Sequence, residues 1–380
     1  MTVNQGLEFI VQRNQLSMTQ TRTFAVPDHS TLPVGQVLLK IDHFAFTSNN
    51  VTYAAFGTAM KYWNFFPTLT GWGVIPVWGF AEVLLSNIPG ITLGERFYGY
   101  YPMASHLLVI PAHINGNGFS DSAAHRQEMH PLYNQYLRTT TDPAYQADTE
   151  AIQMLLRPLF ITSLMIDDFL EDNQFFGAKN IILSSASSKT AYGLAFALHQ
   201  RSDRSYQIIG LTSVANLAFV KNLGIYDQVV TYDQCAALDA RDASVYVDMA
   251  GSAPLRSAIH HHFSDNLVYS CAVGGTHWDE LGGGQNLPGA KPSLFFAPAQ
   301  IKKRLADWGP TGLQAKIAEE WNRLMQKILH AQSPWLQVIH GEGADAVQQV
   351  VQAMLHGKVA AHEGHVLSLE QGRSHSTNTK

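Results

Sequence analysis

Residues Ile181–Leu198, IILSSASSKTAYGLAFAL, place Ser187, Ser188, Lys189 and Thr190 between a short apolar run, Ile181 to Leu183, and an Ala/Leu-rich run. The pattern reads as strand, tight turn and helix. A helix N-terminus presents unpaired amides and a partial positive charge. Hydroxyls and an ammonium placed there make a site for an anion such as a phosphate. In a glycine-rich dinucleotide fingerprint the first glycine makes the turn, the second admits the pyrophosphate, and the third packs helix on strand. Here Ser188 and Lys189 take the first two places and Ala191 takes the third. Serine fits the first place if its backbone keeps a negative φ, because the left-handed region costs an L-residue about 1–2 kcal/mol. Lys189 either blocks a diphosphate or grips it, and we read it as gripping. The alternative is a hydroxyl-capped helix with an exposed lysine.

The strand after this helix ends GLTSVAN, with no acidic residue to hold ribose hydroxyls. A 2′-phosphate would meet no repulsion there, and Thr212 and Ser213 can donate to it, so NADPH is expected ahead of NAD. A plain solvated loop would carry the same letters.

These residues need a scaffold, and the composition bounds it. At 380 residues the chain suits two domains. Apolar residues form 46% and charged ones 14%, which excludes a disordered chain. A net charge of −5 disfavours nucleic acid and anionic membrane as partners. Two cysteines, Cys235 and Cys271, exclude a disulfide framework and a four-cysteine zinc site. No run of about eighteen apolar residues is evident, so no membrane span is expected. MTVNQGLEFIVQRN has no secretory pattern. A cytoplasmic protein is the resulting expectation.

The first hundred residues read as strands and turns, including Val34–Ser48, three short strands in WGVIPVWGFAEVLLSNIPGITLGERFYGYYP, and HLLVIPAHI. A helical period covers about Tyr145–Leu170, with Pro158 expected to break or kink it. From Gly177 onward strands alternate with helices of about ten residues, which indicates a doubly wound parallel sheet. A helical stretch over 298–330 follows. The end reads strand, helix, strand, and the last strand is a candidate to return to the first sheet. The fold class is therefore α/β, a β-rich domain plus a doubly wound domain. The boundaries are 1–160, with an insertion at about 115–157, then 161–330, and 331–380 as the return.

Several segments carry a resemblance. VLLKIDHFAFTSNNVTY, IPGITLGERFYGY, IIGLTSVANLAFVKNLGIYDQVVTYDQ, VYVDMAGSAPLRSAI, LVYSCAVGG and GKVAAHEGHVLSL stand in the order and spacing of the medium-chain dehydrogenase/reductase superfamily. NNVTYAAFG, YWNFFP, YNQYL, LLRPLF and SSASSKTA resemble a branch of it known mainly as a domain of unknown function. The resemblance implies a GroES-like catalytic domain and a Rossmann-type domain. It also implies that Tyr232 flanks a ribose and that the nicotinamide lies near Gly274 and Gly275. The superfamily's zinc-ligand positions fall at Thr47 or Ser48 and in GWGVIPVWGF, where the ligand types are missing. No catalytic zinc is expected, since zinc needs about three protein ligands. His260, His261 and His262 are read as the exposed face of a surface helix.

Without a metal, hydrogen-bond donors must hold the charge that develops on a substrate oxygen. The loop Ser48-Asn49-Asn50-Val51-Thr52-Tyr53 offers them where zinc-free quinone and enoyl reductases carry Asn, Asp and Tyr. Tyr53 is the expected donor or proton source, with Asn49 and Ser48 orienting the oxygen. Equally, Asn-Asn can form a turn and Tyr53 can pack in the core. Phe56, Tyr62, Trp63, Phe65, Phe66 and Trp72 crowd the same region, with Phe46 just before it, and suit a small apolar or aromatic substrate. His125, Arg126, Glu128, His130, Tyr133, Tyr136 and Arg157 lie in an extended connection that either forms a lid, binds a charged group, or packs against a cleft.

The resulting expectation is an NADPH-dependent, zinc-free reductase of an apolar carbonyl or activated alkene. The alternative is a non-redox ligand-binding or scaffolding protein of the same fold. Acyl or lactone chemistry finds no Ser-His-Asp spacing to support it. A homodimer through LFFAPAQI, residues 294–301, is plausible.

Overall fold

The structure is a computed structural model describing residues 5–273, 286–331 and 333–370. The chain divides into two compact units, Met1–Leu155 with Val338–Lys380, and Leu156–Gln337.

The first unit is β-rich. Its strands are β1 (Gln5–Gln12), β2 (Gln15–Ala25), β3 (Val37–Phe46), β4 (Trp72–Gly73), β5 (Pro76–Ser86), β6 (Arg96–Pro102), β7 (His106–Val109), β8 (Pro111–Asn115), β9 (Gly118–Asp121) and β10 (Gln135–Arg138). Helix α1 (Ser48–Ala55) follows β3, and α2 (Glu150–Asp172) leads out of the unit. Strand β3 alternates apolar and polar residues at its centre and buries both ends, as expected of a strand covered on one face. It pairs antiparallel with β5 and β7. The core gathers Phe9, Phe44, Phe46, Tyr53, Trp63, Tyr100, Tyr101 and Tyr136. The 115–157 segment extends the sheet, with β10 pairing with both β6 and β9.

The second unit is the doubly wound sheet. In chain order it holds β11 (Asn180–Leu183), α3 (Lys189–His199), β12 (Gln207–Thr212), α4 (Leu217–Asn222), β13 (Gln228–Thr231), β14 (Ser244–Asp248), α5 (Ala253–Phe263), β15 (Leu267–Ala272), β16 (Pro292–Leu294) and α6 (Ala297–Leu329). The strand order is β13-β12-β11-β14-β15-β16, all parallel. Strand β11, NIIL, is buried at every residue, the mark of a central strand covered on both faces. The chain then gives β17 (Gln337–Glu342), α7 (Gly343–Leu355) and β18 (Glu363–Ser368). Strand β18 returns to the first sheet, pairing antiparallel with β3.

Local details refine these readings. Helix α2 is continuous through Pro158, which excludes a break there. Its buried residues on either side, Leu155, Leu156 and Phe160, outweigh the roughly 3 kcal/mol an internal proline costs. HLLVIPAHI is two strands, β7 and β8, rather than one. The helix over 298–330 is bent at Gly309, which takes φ 68° before Pro310. Residues 147–172 are long and apolar enough for a membrane span by length and composition alone, and most of the apolar stretch is buried inside the protein, as in a core helix.

Gly118 closes the β9 hairpin at φ 139°, and a Cβ there would lie 1.9 Å from the Tyr136 carbonyl oxygen. Gly118→Ala is expected to destabilise the first unit by more than about 2 kcal/mol. A denaturant midpoint equal to that of the parent would refute this.

Candidate functional site

The C-terminal edge of the parallel sheet is where an open α/β fold binds ligands, at the strand whose neighbours lead off in opposite directions. That strand is β11, flanked by β12 and β14. It ends on Ser184, which is wholly buried. The Ser184 hydroxyl donates to Asp248 Oδ1 at 3.1 Å and accepts from the amides of Met249 and Ala250 at 2.9 and 3.0 Å. Asp248 Oδ1 also accepts from the Gly251 amide. Burial pushes the Asp248 carboxyl above its usual 3.8, and the Gly251 amide, the Ser184 hydroxyl and Arg256 partly oppose the shift.

The turn itself then forms. Ser185 takes the left-handed region at φ 47°, and the Ser188 amide bonds back to its carbonyl at 2.7 Å. Ser188 sits at φ −73°, the negative value that serine needs at this place, and its hydroxyl caps α3 by accepting from the Ala191 amide. Lys189 and Thr190 are therefore the first two residues of α3, both half-buried. Gly193, one turn later, lets α3 cross α2, since a Cβ there would stand 2.8 Å from Ser163 Oγ. A second connection ties the turn to the next strand end, with Asn216 Nδ2 donating to Ser187 Oγ at 3.1 Å.

The remaining sequence-derived residues of this edge divide by exposure. Thr212 is the last residue of β12 and wholly buried, and its hydroxyl has no hydrogen-bond partner among the described residues. Ser213 is half-buried just beyond it, and Tyr232 follows β13 at the same end of the sheet. Gly274 and Gly275 lie outside the described residues. As a donor set this edge fits a phosphate-bearing ligand: hydroxyls at Ser187, Ser188, Thr190 and Ser213, an ammonium at Lys189, and an orphaned hydroxyl at Thr212.

The first unit holds the second candidate group. Ser48–Tyr53, read as a loop, is the start of α1. The cause is Thr47 at the helix cap, whose amide donates to Asn50 Oδ1 at 2.7 Å, while Asn50 Nδ2 donates to the Pro76 carbonyl. The second asparagine of the pair therefore anchors the helix, and Asn49 stays half-buried at its side. Ser48 is exposed.

Tyr53 is buried in a box of aromatic rings. Tyr62 lies at 4.7 Å centroid to centroid, Tyr100 at 5.6 Å edge-on, and Tyr133 at 6.5 Å edge-on. Trp78 Nε1 reaches the Tyr53 oxygen at 3.5 Å. Burial, with a smaller contribution from Tyr62, holds the Tyr53 phenol far above its ordinary range, and hydrogen bonds from Trp78, Asn49 and Tyr133 act against this. Tyr53 is a protonated donor throughout the neutral range.

Tyr133 comes from the 115–157 segment, which is part of this wall. Arg126, wholly buried, donates through Nη1 to the Tyr133 carbonyl at 3.3 Å. Its guanidinium lies over Phe66 at 4.7 Å and Phe65 at 5.6 Å. Arg126 Nε stands 3.2 Å from Asp121 Oδ2 but off the hydrogen-bonding direction, so that contact is ionic. The histidine triplet needs correction. His260 is buried, bridging the Pro288 carbonyl and Ser270 Oγ, and only His261 is fully on the surface. A helix turning 100° per residue cannot put three consecutive side chains on one face. Among the described residues no three His, Cys, Asp or Glu side chains converge as metal ligands.

Sequence reasoning missed Ser184, Asp248, Trp78, Tyr100 and Tyr133 as parts of these groups. Only Tyr133 carried a signal, an aromatic inside a segment of no regular period. The Asp248 arrangement makes a prediction. A carboxyl raised in the folded state contributes stability below its unfolded pKa, and loses it as pH rises through the raised value. Asp248→Asn should therefore flatten the fall in stability between about pH 4 and 7. Parallel unfolding free energies for parent and variant across that window would refute it.

A family model described as "Protein of unknown function (DUF2855)" matches residues 44–360. No curated protein matches the chain. Among solved structures, the chain is similar to CurA from Vibrio vulnificus in complex with NADPH, at 11% identity and a TM-score of 0.63, covering 96% of this chain and 100% of that one. It is also similar to the yhdH oxidoreductase from Salmonella enterica in complex with NADP, at 15% identity and 0.52, with the same coverage. A mutant form of enoyl thioester reductase from Candida tropicalis gives 11% and 0.55, again over 96% and 100%. These likenesses carry the fold, a GroES-like β-rich unit with a Rossmann-type parallel sheet. The chain belongs to the DUF2855 family and has the medium-chain dehydrogenase/reductase fold.

Proposed function

We propose that the protein is an NADPH-dependent reductase of a small apolar carbonyl or activated alkene, working without zinc. The observation that carries the reading is the β11–α3 turn. It keeps the backbone course of a nucleotide-binding turn with Ser188 at negative φ, and replaces the glycines' open approach with an ammonium and hydroxyls at a helix N-terminus. The cofactors of the similar solved structures support the same choice.

In this reading Lys189 and the hydroxyls of Ser187, Ser188 and Thr190 hold the diphosphate. Asn216 fixes the Ser187 hydroxyl, and Ser213, with Thr212 beneath it, receives a 2′-phosphate that no acidic side chain repels. Tyr232 flanks the ribose. NADPH, when bound, supplies the hydride. Tyr53 supplies the proton from buried surroundings, a condition that strengthens any hydrogen bond to a developing oxyanion. Asn49 interacts with the same phenol, and Ser48 precedes it as the first residue of α1. The aromatic box suits a planar or apolar substrate. For assembly, β16 is a sheet edge, and Leu294, Phe296 and Leu305 are exposed beside it, a face for a second copy of the chain.

Titration with NADPH, followed by nicotinamide fluorescence, is expected to saturate, with NADH binding more weakly. Lys189→Ala should weaken NADPH at least tenfold, the loss of about one charge-assisted contact. Tyr53→Phe should leave that binding intact and cut turnover of an enone or enoyl thioester by 10²-fold or more, on the order expected for a general acid. A flat response to both nucleotides would replace this reading with the non-redox one. Sedimentation of the full chain should give a dimer, and a monomer at micromolar concentration would remove that element.

A further inference from the structure

Tyr53 can release its proton only if something holds the charge left on its oxygen, because ionising a buried phenol is costly. One donor stands at that oxygen, Trp78 Nε1 at 3.5 Å, and the Tyr133 ring lies edge-on at 6.5 Å. Hydrogen bonding from Trp78, Asn49 and Tyr133 favours the ionised form of Tyr53. Each donor is held from behind. Trp78 stacks on Tyr98 at 5.5 Å and packs on Tyr100 at 5.0 Å. Tyr133 packs on Tyr100 at 4.8 Å and Phe65 at 5.5 Å, with its carbonyl tied to Arg126. Asn49 rides on the first turn of α1, fixed by the Thr47–Asn50 cap. Burial, then the neighbouring Tyr53 and Tyr62 phenols and the hydrogen bonds to them, hold the Tyr133 phenol well above its ordinary range, so it stays protonated. The Tyr62 and Tyr100 rings pack on Tyr53, and the Arg126 guanidinium lies over Phe65 at 5.6 Å.

Resting on the reductase reading, we propose that Trp78 and Tyr133 are positioning residues that hold the phenolate left on Tyr53 after it protonates the substrate. The Tyr53 O–H bond breaks, and its proton forms the new bond on the substrate that has accepted hydride from the reduced nicotinamide. The electron pair stays on Tyr53 Oη, where the contacts from Trp78, Asn49 and Tyr133 shorten as charge develops. Water returns the proton after product leaves. The device is an oxyanion hole turned toward the acid's own conjugate base.

The test uses the full chain with 3,5-difluorotyrosine substituted for Tyr53, a more acidic phenol whose ionisation ¹⁹F NMR follows without any turnover. Trp78→Phe and Tyr133→Phe should each lower its acid dissociation constant at least tenfold, and Trp78→His, which keeps a ring donor, should lower it less. With natural Tyr53, both phenylalanine variants should cut kcat tenfold or more, leave KM and NADPH binding within about twofold, and raise the solvent deuterium isotope effect. The difluoro phenol should restore part of the lost rate. An acid constant unmoved by either variant overturns the proposal, even where turnover depends on Tyr53. An acid constant that moves while Tyr53→Phe leaves turnover intact removes Tyr53 from the protonation step and overturns the proposal but not the reductase reading, whereas a flat response to both nucleotides overturns that reading. Near-ultraviolet dichroism identifies a misfolded variant, and the other phenylalanine variant then decides.

Discussion

The hydroxyl of Ser184 is bonded on three sides at the point where β11 stops being a strand. It joins the ends of two adjacent parallel strands, and takes up the backbone amides of Met249 and Ala250 just past the second of them. Because the exit from β11 is fixed there, Ser185 can hold a left-handed backbone, Ser188 arrives at the cap of α3, and Lys189 begins the helix. The candidate cofactor edge follows from that one buried hydrogen-bond set. A serine that ends a strand is ordinary in sequence, and only its pairing with Asp248 across the sheet gives it this weight.

The first unit solves a different problem. A phenol placed among aromatic rings gains packing and loses water, so it becomes a weak acid unless donors surround it. The structure supplies donors from three separate places in the chain: the helix after β3, the strand β5, and the 115–157 segment. Their convergence depends on the antiparallel pairing of β3, β5 and β6, which brings Trp78 beside Tyr100 and both against α1.

The fold was legible because its signals are local. Strands of four to six apolar residues separated by helices of ten define the parallel sheet, and alternation defines β3. The departures come from tertiary context. Asn49-Asn50 reads as a turn, yet Asn50 can answer both the Thr47 amide and the Pro76 carbonyl, 26 residues away, and a helix results. His260 reads as polar surface, but its two ring nitrogens meet partners at Pro288 and Ser270 that no local pattern foretells. The turn at Ser187–Thr190 was legible in kind. Its hydrogen bond to Asn216 was not, because that contact joins two loops brought together only by strand order.

Arg126 gives the extended 115–157 segment a significance that its position at the periphery of the β sheet would not suggest. A guanidinium with no exposed surface, set against Asp121 and two phenylalanine rings, is stable only while all of them are present, and stripping such a pair of one member typically costs about 3–5 kcal/mol. Deleting Asp121 alone would strand a buried cation beneath the aromatic rings, so acid and base can be removed only together.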